Sequence, residues 1–180
     1  TIMEHWATHG PHLYMLGRMA WNPYADGEAI LEDYYRRGFG PAAEEIKAYW
    51  TLLEQKRNEM LHAGSNRFDI PQYYTEKVLT KADSLLAKAA EQVADGEQKY
   101  MDRVAFVRAG FAYTRRLTRA RELMIQMEEA GEQDPETVRQ VKAVWKELNR
   151  LRKDTPTGFN NKFLGPNARW AIGFHPDNSR

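Results

Sequence analysis

Residues 95–135 read DGEQKYMDRVAFVRAGFAYTRRLTRARELMIQMEEAGEQDP, and this stretch decides the fold class. Its apolar side chains recur three, four or seven residues apart, the spacing of one helix face, at positions such as Tyr100, Val104, Val107, Phe111 and Met124. Asp95-Gly96 marks a break before the pattern. Asp134-Pro135 marks the next helix start, because Asp is a good N-cap and Pro suits the first helical position. The stretch therefore predicts one long helix followed directly by another.

The same periodicity extends over most of the chain and predicts six helices. They cover about 11–21, 26–38, 41–63, 70–94, 97–130 and 135–154. Short connections between long helices favour antiparallel neighbours. The predicted fold class is therefore all-α, an up-and-down helical bundle of four long helices at 41–152. A strand stub and two short lead-in helices precede it at 1–40, and an ordered, irregular, aromatic C-terminal tail follows at 153–180.

The composition limits the classes of function. The 26 basic and 25 acidic side chains nearly cancel, which argues against a nucleic-acid partner. Cysteine is absent, so cysteine-ligated metals and cysteine nucleophiles are excluded. No apolar run approaches the roughly 20 residues that span a bilayer, so no membrane partner is expected. The start at Thr1 shows no signal-peptide pattern, and we interpret the chain as a piece of a longer protein.

Polar and aromatic side chains are concentrated at the start of the chain, as Glu4, His5, Trp6, His9 and His12. The histidine spacing resembles that of a zinc site. However, Gly10-Pro11 places His9 before the helix, so the spacing does not fix the direction of its side chain. We therefore predict loop histidines, with no metal and no cofactor.

A second interpretation of this segment is a sugar site. Residues 1–3 would end a barrel strand, and active-site residues lie beyond the carboxyl ends of such strands. Glu4 is then the candidate catalytic acid, and Trp6 is suited to stack on a sugar ring. The simpler interpretation is a solvated loop carboxylate and a core ring. Glycoside cleavage needs a second carboxyl group. Folding could bring Asp177 of the tail near Glu4, but no spacing in the sequence requires it, so we expect that the chain alone does not hydrolyse glycosides.

The candidate substrate-binding residues combine this segment with the tail, and they are His5, Trp6, His9, His12, Trp170 and His175. Residues 1–50 hold nine aromatic side chains. They could form a sugar platform, but most fall on predicted inner helix faces, and core packing is favoured for them, Trp21 included. The run Arg115, Arg116, Arg119 and Arg121 is balanced by nearby glutamates and predicts a solvated face.

Three motifs resemble a known family. They are YMLGRMAWNP at 14–23 with Asp26 after it, ILEDYY at 30–35 and FGPAA at 39–43. The match covers about residues 4–60 and resembles the helical region that follows the barrel in bacterial proteins of a domain-of-unknown-function family related to α-glucuronidase-like glycoside hydrolases.

The resemblance implies a function without assigning catalytic residues. It implies the C-terminal helical part of a carbohydrate-active protein, supporting an upstream barrel domain and contributing to the edge of its pocket. It also implies an extracytoplasmic location. The alternative is a non-enzymatic helical protein-interaction module, which would use the aromatic N-terminal segment to dock a partner.

Overall fold

The computed structural model describes residues 6–60, 70–130 and 134–159. Helix accounts for 87% of these residues and strand for none of them, so the predicted all-α helical bundle is confirmed. The helices are α1 (Gly10–Trp21), α2 (Gly27–Phe39), α3 (Ala43–Glu59), α4 (Ile70–Tyr73), α5 (Glu76–Val93), α6 (Gln98–Ala130) and α7 (Pro135–Asp154). Short 3-10 turns at Trp6–Thr8 and Gly40–Ala42 precede α1 and α3.

Two predicted aspartate caps begin their helices as expected. Asp26 Oδ1 accepts a hydrogen bond from the backbone N–H of Glu28 at 2.9 Å, at the start of α2. Asp134 Oδ2 accepts one from the N–H of Thr137 at 2.9 Å, at the start of α7. Each carboxylate satisfies donors that the first helical turn leaves open. The sequence signals therefore place these two helix starts correctly.

Some predicted boundaries were wrong. Helix α2 passes through Gly38 and ends at Phe39, because Gly40 is the residue with a positive φ, 52°. Gly40 is also the place where the ring of Tyr100 approaches the backbone, and a Cβ there would lie 2.7 Å from that ring. Helix α3 ends at Glu59 rather than near residue 63. The helix predicted at 70–94 is divided into α4 and α5, and the suggested cap Asp69 lies outside the described residues.

The long helices pack in chain order, with α3 on α5, α5 on α6, and α6 on α7. Ion pairs show that the last three are antiparallel. From the middle of α6, Arg115 reaches Glu76 at 2.9 Å and Asp83 at 3.3 Å in the first half of α5. Arg116 reaches Glu147 at 3.1 Å in the second half of α7. Such surface pairs stabilise the fold little, but because only a few residues connect consecutive helices, side-by-side contacts far from the connection require antiparallel directions.

The core divides into two hydrophobic clusters along α6. The first cluster joins α2, α3 and α5 to the first half of α6, and it includes Phe39, Ile46, Tyr49, Leu86 and Val107. The second joins α7 to the second half of α6, and it includes Tyr113, Leu123, Val141, Trp145 and Leu148. Ala7, before α1, and Phe159, after α7, belong to the second cluster. The start of the chain is therefore packed beside its later part.

The prediction that the arginine run on α6 forms a solvated face is wrong for Arg121. It is only 1% exposed, within the part of α6 that packs in the second cluster. Its guanidinium donates to both carboxylate oxygens of Glu128, at 3.0 and 3.1 Å. A buried guanidinium is tolerated when it is paired in this way. Arg119, by contrast, is exposed and pairs with Glu122.

Among the helices of the described residues, none combines the length and the apolar character needed to cross a membrane.

Candidate functional site

The structure describes three of the predicted site residues, Trp6, His9 and His12. The catalytic candidate Glu4 and the substrate-binding candidates His5, Trp170 and His175 lie outside the described residues, as does the tail acid Asp177. The candidate site is therefore built from Trp6–His12 and the side chains around it. We call this stretch the N-terminal segment.

The N-terminal segment is held against α6 through Ala7. Ala7 is 2% exposed, and its N–H donates to the carbonyl oxygen of Gly158 at 3.1 Å. Its carbonyl lies against Gly110 so closely that a Cβ on Gly110 would overlap it. Gly110 is a helix-interior glycine, a position that is costly unless a close approach requires it. These contacts fix the backbone of the segment relative to α6.

A second close approach fixes the start of α1. The hydroxyl oxygen of Tyr34, from α2, lies where a Cβ on Gly10 would be. Cζ2 of Trp50, from α3, would be 3.9 Å from the same Cβ position. Burial raises the pKa of Tyr34 far above its ordinary value, so its hydroxyl stays protonated. Gly10 thus meets one neutral hydroxyl and one indole ring.

The two imidazoles of the segment lie side by side. The ring centroids of His9 and His12 are 6.1 Å apart, with an angle of 62° between the planes. His9 Nδ1 is hydrogen-bonded to the hydroxyl oxygen of Thr8 at 3.0 Å. His12 is exposed, whereas His9 and Trp6 are half-buried. Imidazoles exchange hydrogen bonds with hydroxyl groups, and an indole has an apolar face with one polar N–H, so these are the polar and aromatic groups that the segment offers to a ligand.

Behind the segment, Tyr14 connects α1 to α2. Its hydroxyl donates to Asp33 Oδ2 at 2.7 Å. This hydrogen bond, together with the nearby charge of Arg37, lowers the pKa of the Asp33 carboxyl below its ordinary value. The same bond raises the pKa of the Tyr14 hydroxyl. Asp33 is thus an ionised carboxylate at neutral pH that accepts from Tyr14 and pairs with Arg37.

The aromatic side chains of residues 1–50 do not all pack in the core as expected. Tyr35, Phe39, Tyr49 and Trp50 are buried, but Trp21 is 94% exposed and Tyr24 is 95% exposed. With Leu16, they are the exposed large apolar side chains of the described residues. All three lie on the hairpin formed by α1 and α2, and we call them the hairpin patch. They lie close together along the chain, and exposed apolar side chains that form one continuous patch mark an interaction surface.

A metal centre and a groove bordered by basic side chains are the other kinds of site relevant to residues 6–60, 70–130 and 134–159. The described residues contain no group of three or more His, Asp or Glu side chains that could hold a metal ion. A groove of about 430 Å³ on α6 is bordered by Arg108, Arg115 and Arg116. Acidic partners compensate the charges of Arg115 and Arg116. The absence of a nucleic-acid partner stays a prediction.

Sequence reasoning missed the side chains that surround the segment. Tyr34 and Trp50 were assigned to helices without a link to the start of the chain. Gly110 is the one signal that could have shown the link, since a glycine inside a strong helical pattern often marks a close backbone approach. Nothing in the sequence identifies Ala7 as the residue that approaches it.

Comparisons with protein-family models, with curated proteins and with solved structures found no match to this chain. The resemblance to α-glucuronidase-like proteins therefore stays a prediction from its motifs.

Proposed function

We propose that the chain is the helical part of a carbohydrate-active, glycoside hydrolase-like protein. In this proposal it supports a barrel domain and contributes the N-terminal segment to the edge of a sugar-binding pocket. Trp6 stacks on a sugar ring, and His9 and His12 exchange hydrogen bonds with its hydroxyl groups. Glu4 is retained as the candidate catalytic acid, since it lies only two residues before the start of the segment.

The observation that carries the proposal is how firmly the segment is held. Ala7 packs closely against Gly110 and is hydrogen-bonded to Gly158, and Gly10 is packed against Tyr34. A binding group held in place by packing loses little freedom when a ligand arrives, which favours affinity and specificity. The indole and imidazole groups carried by this backbone are those suited to a sugar.

The hairpin patch supports the part of the proposal in which the chain holds a barrel domain. Leu16, Trp21 and Tyr24 lie on the hairpin that also packs behind the segment, and large exposed aromatic side chains are typical anchors of an interface. A barrel domain seated on the hairpin would cover them. The same patch also favours the alternative function, a helical module that docks a separate protein.

Calorimetric titration of the chain with neutral and acidic oligosaccharides tests the proposal. We expect measurable binding that weakens about 5- to 10-fold in His12→Ala, the loss of roughly one hydrogen bond. Trp21→Ala is the matched control, since it removes an exposed aromatic ring outside the segment and should leave the affinity unchanged. Binding that is lost in Trp21→Ala and retained in His12→Ala would contradict the proposed site. No binding of any sugar would favour the interaction module.

Glu4 is tested in the longer protein that the proposal requires. If Glu4 contributes to the pocket, Glu4→Gln weakens turnover of aryl-glycoside or uronide substrates there. The substitution keeps the size of the side chain and removes its acid–base function. Unchanged turnover in Glu4→Gln would remove Glu4 from the proposal.

A further inference from the structure

The groove on α6 lies apart from the N-terminal segment. It has a volume of about 430 Å³, and its floor includes Ala105, Ala109 and Ala112. These alanines recur four and three residues apart, so they share one face of the helix. Gly110, against which Ala7 packs, is two residues from Ala112 and therefore about 160° around the helix from it. The groove and the N-terminal segment thus occupy different sides of α6.

Arginine side chains with unused donors border this alanine floor. Arg108 is exposed, and it forms no ion pair or hydrogen bond with any residue in 6–60, 70–130 or 134–159. Arg116 donates through Nε to Glu147 and through one terminal nitrogen to the carbonyl oxygen of Ala112, both at 3.1 Å. Its other terminal nitrogen has no acceptor in the same part of the chain. Two guanidinium groups can therefore still bind an acceptor in the groove.

The charge of the groove is positive at its Arg108 end. Three of the lining residues are arginines, and the acidic one, Asp83, is already paired with Arg115 at 3.3 Å. An acidic ligand meets attraction from Arg108 without displacing an existing ion pair. A nucleic acid fits less well, because Phe111, the aromatic lining residue, is buried and offers no platform on which bases could stack.

The spacing of the two arginines indicates the shape of the ligand. Arg108 and Arg116 are eight residues apart, which is about 12 Å along α6. One carboxylate cannot bridge this distance, whereas two carboxylates on a helix, about two turns apart, can. The small side chains between the arginines allow a second helix to approach closely, since side-chain size at the contact sets the distance between packed helices. Grooves that take amphipathic helices and arginine clusters that bind acidic motifs are both recurring modes of recognition.

We propose that the α6 groove docks an acidic helix of a partner protein. Two carboxylates of that helix, about two turns apart, pair with Arg108 and Arg116, and small or apolar side chains between them pack on Ala109 and Ala112. This interaction goes beyond the proposed function, because it requires neither a sugar nor a barrel domain.

The probe is a hydrocarbon-stapled, alanine-based peptide helix with two glutamates seven residues apart. The staple keeps the helix formed, which a short free peptide would not do in water. We expect a dissociation constant below about 1 mM, and binding at least about 5-fold weaker when both glutamates are replaced by glutamine. Added salt should weaken the binding of the acidic peptide. The largest amide chemical-shift changes should fall on Ala105, Ala109 and Ala112.

Substitutions at exposed positions of the chain test the role of charge without disturbing the core. Ala105→Glu places a carboxylate one helical turn before Arg108, and it should weaken binding of the acidic peptide about 5- to 10-fold. Ala105→Lys is the matched control at the same position and should keep or raise the affinity. Arg108→Gln should weaken binding about 3- to 5-fold. Arg18→Gln, which alters an exposed arginine of α1, should leave it unchanged.

Three results would overturn the docking site. They are equal binding of the acidic and the glutamine peptide, equal effects of Ala105→Glu and Ala105→Lys, and the absence of any peptide binding. Binding of an oligothymidylate at the same amides in place of the peptide would also overturn it, in favour of a nucleic-acid partner. None of these results bears on the proposed function, which is measured by sugar binding at the N-terminal segment.

Discussion

The carbonyl group of Ala7 occupies the space that a side chain on Gly110 would need. We therefore expect Gly110→Ala to lower the free energy of unfolding by about 1–3 kcal/mol, the usual cost of overpacking. The obstacle is backbone and cannot rotate away as a flexible side chain would. Chemical denaturation measures the change, and increased proteolysis near Ala7 would show that the N-terminal segment has been displaced.

Gly17→Ala is the matched control for this prediction. Gly17 also lies inside a helix, but nothing is within 4 Å of its Cβ position. Alanine there should raise the free energy of unfolding by up to about 1 kcal/mol, because it restricts the unfolded chain more than glycine does. If both substitutions stabilised the protein, the close approach of Ala7 to α6 would be contradicted.

The hydrogen bond between Tyr14 and Asp33 should make stability depend on acid pH. The pKa of Asp33 is lowered from its ordinary value of 3.8, first by this bond and then by the nearby arginines. A lowered carboxyl pKa stabilises the folded state above the unfolded pKa, and the contribution is lost as pH falls through the folded pKa. Tyr14→Phe should therefore be less stable than the parent at pH 7, with a difference that shrinks below about pH 3.8. A difference that grew on acidification would contradict this assignment.

Buried tyrosines should make the fold sensitive to alkaline pH. Burial raises the pKa of Tyr35 from 10.0 to about 12, with Glu54 and Glu32 contributing. It also raises the pKa values of Tyr34 and Tyr49 strongly. A raised pKa stabilises the folded state below the unfolded value, so the free energy of unfolding should fall from about pH 10 upward. Ultraviolet absorbance should show delayed ionisation of these side chains. Simultaneous ionisation of all nine tyrosines near pH 10 would contradict the buried cluster.

The exposure of Trp21 predicts that it contributes little to stability. Trp21→Ala should change the free energy of unfolding by no more than about 0.5 kcal/mol, as at other surface positions. Trp145→Ala, in the second cluster, should cost about 3–5 kcal/mol. Urea denaturation distinguishes the two. A large loss in Trp21→Ala would show that the side chain packs in the core, as the sequence had predicted.

Local signals in the sequence predicted the helices well. Asp26 and Asp134 begin α2 and α7 because the capping interaction involves only neighbouring residues. The long apolar stripe of α6 required no knowledge of its partners. The stop at Gly40 was assigned to Gly38, because two glycines lie close together and only the fold decides which has the positive φ.

Long-range contacts could not be predicted in the same way. Core packing was expected for both Trp21 and Trp50, yet Trp21 is exposed and Trp50 is buried. Which helix faces are covered depends on how α1 and α3 sit against their neighbours. The candidate site shows the same limit, since Trp6, His9 and His12 were identified from composition while Gly110 and Trp50 are brought near only by folding.

The claim that the N-terminal segment binds sugar is tested most directly by amide and side-chain chemical-shift mapping. The isotopically labelled chain is titrated with a glucuronate-containing oligosaccharide. The account predicts that the largest shifts fall on Trp6, His9 and His12, with small shifts at the hairpin patch. Shifts centred on Trp21 and Tyr24, or no shifts at saturating sugar, would contradict it.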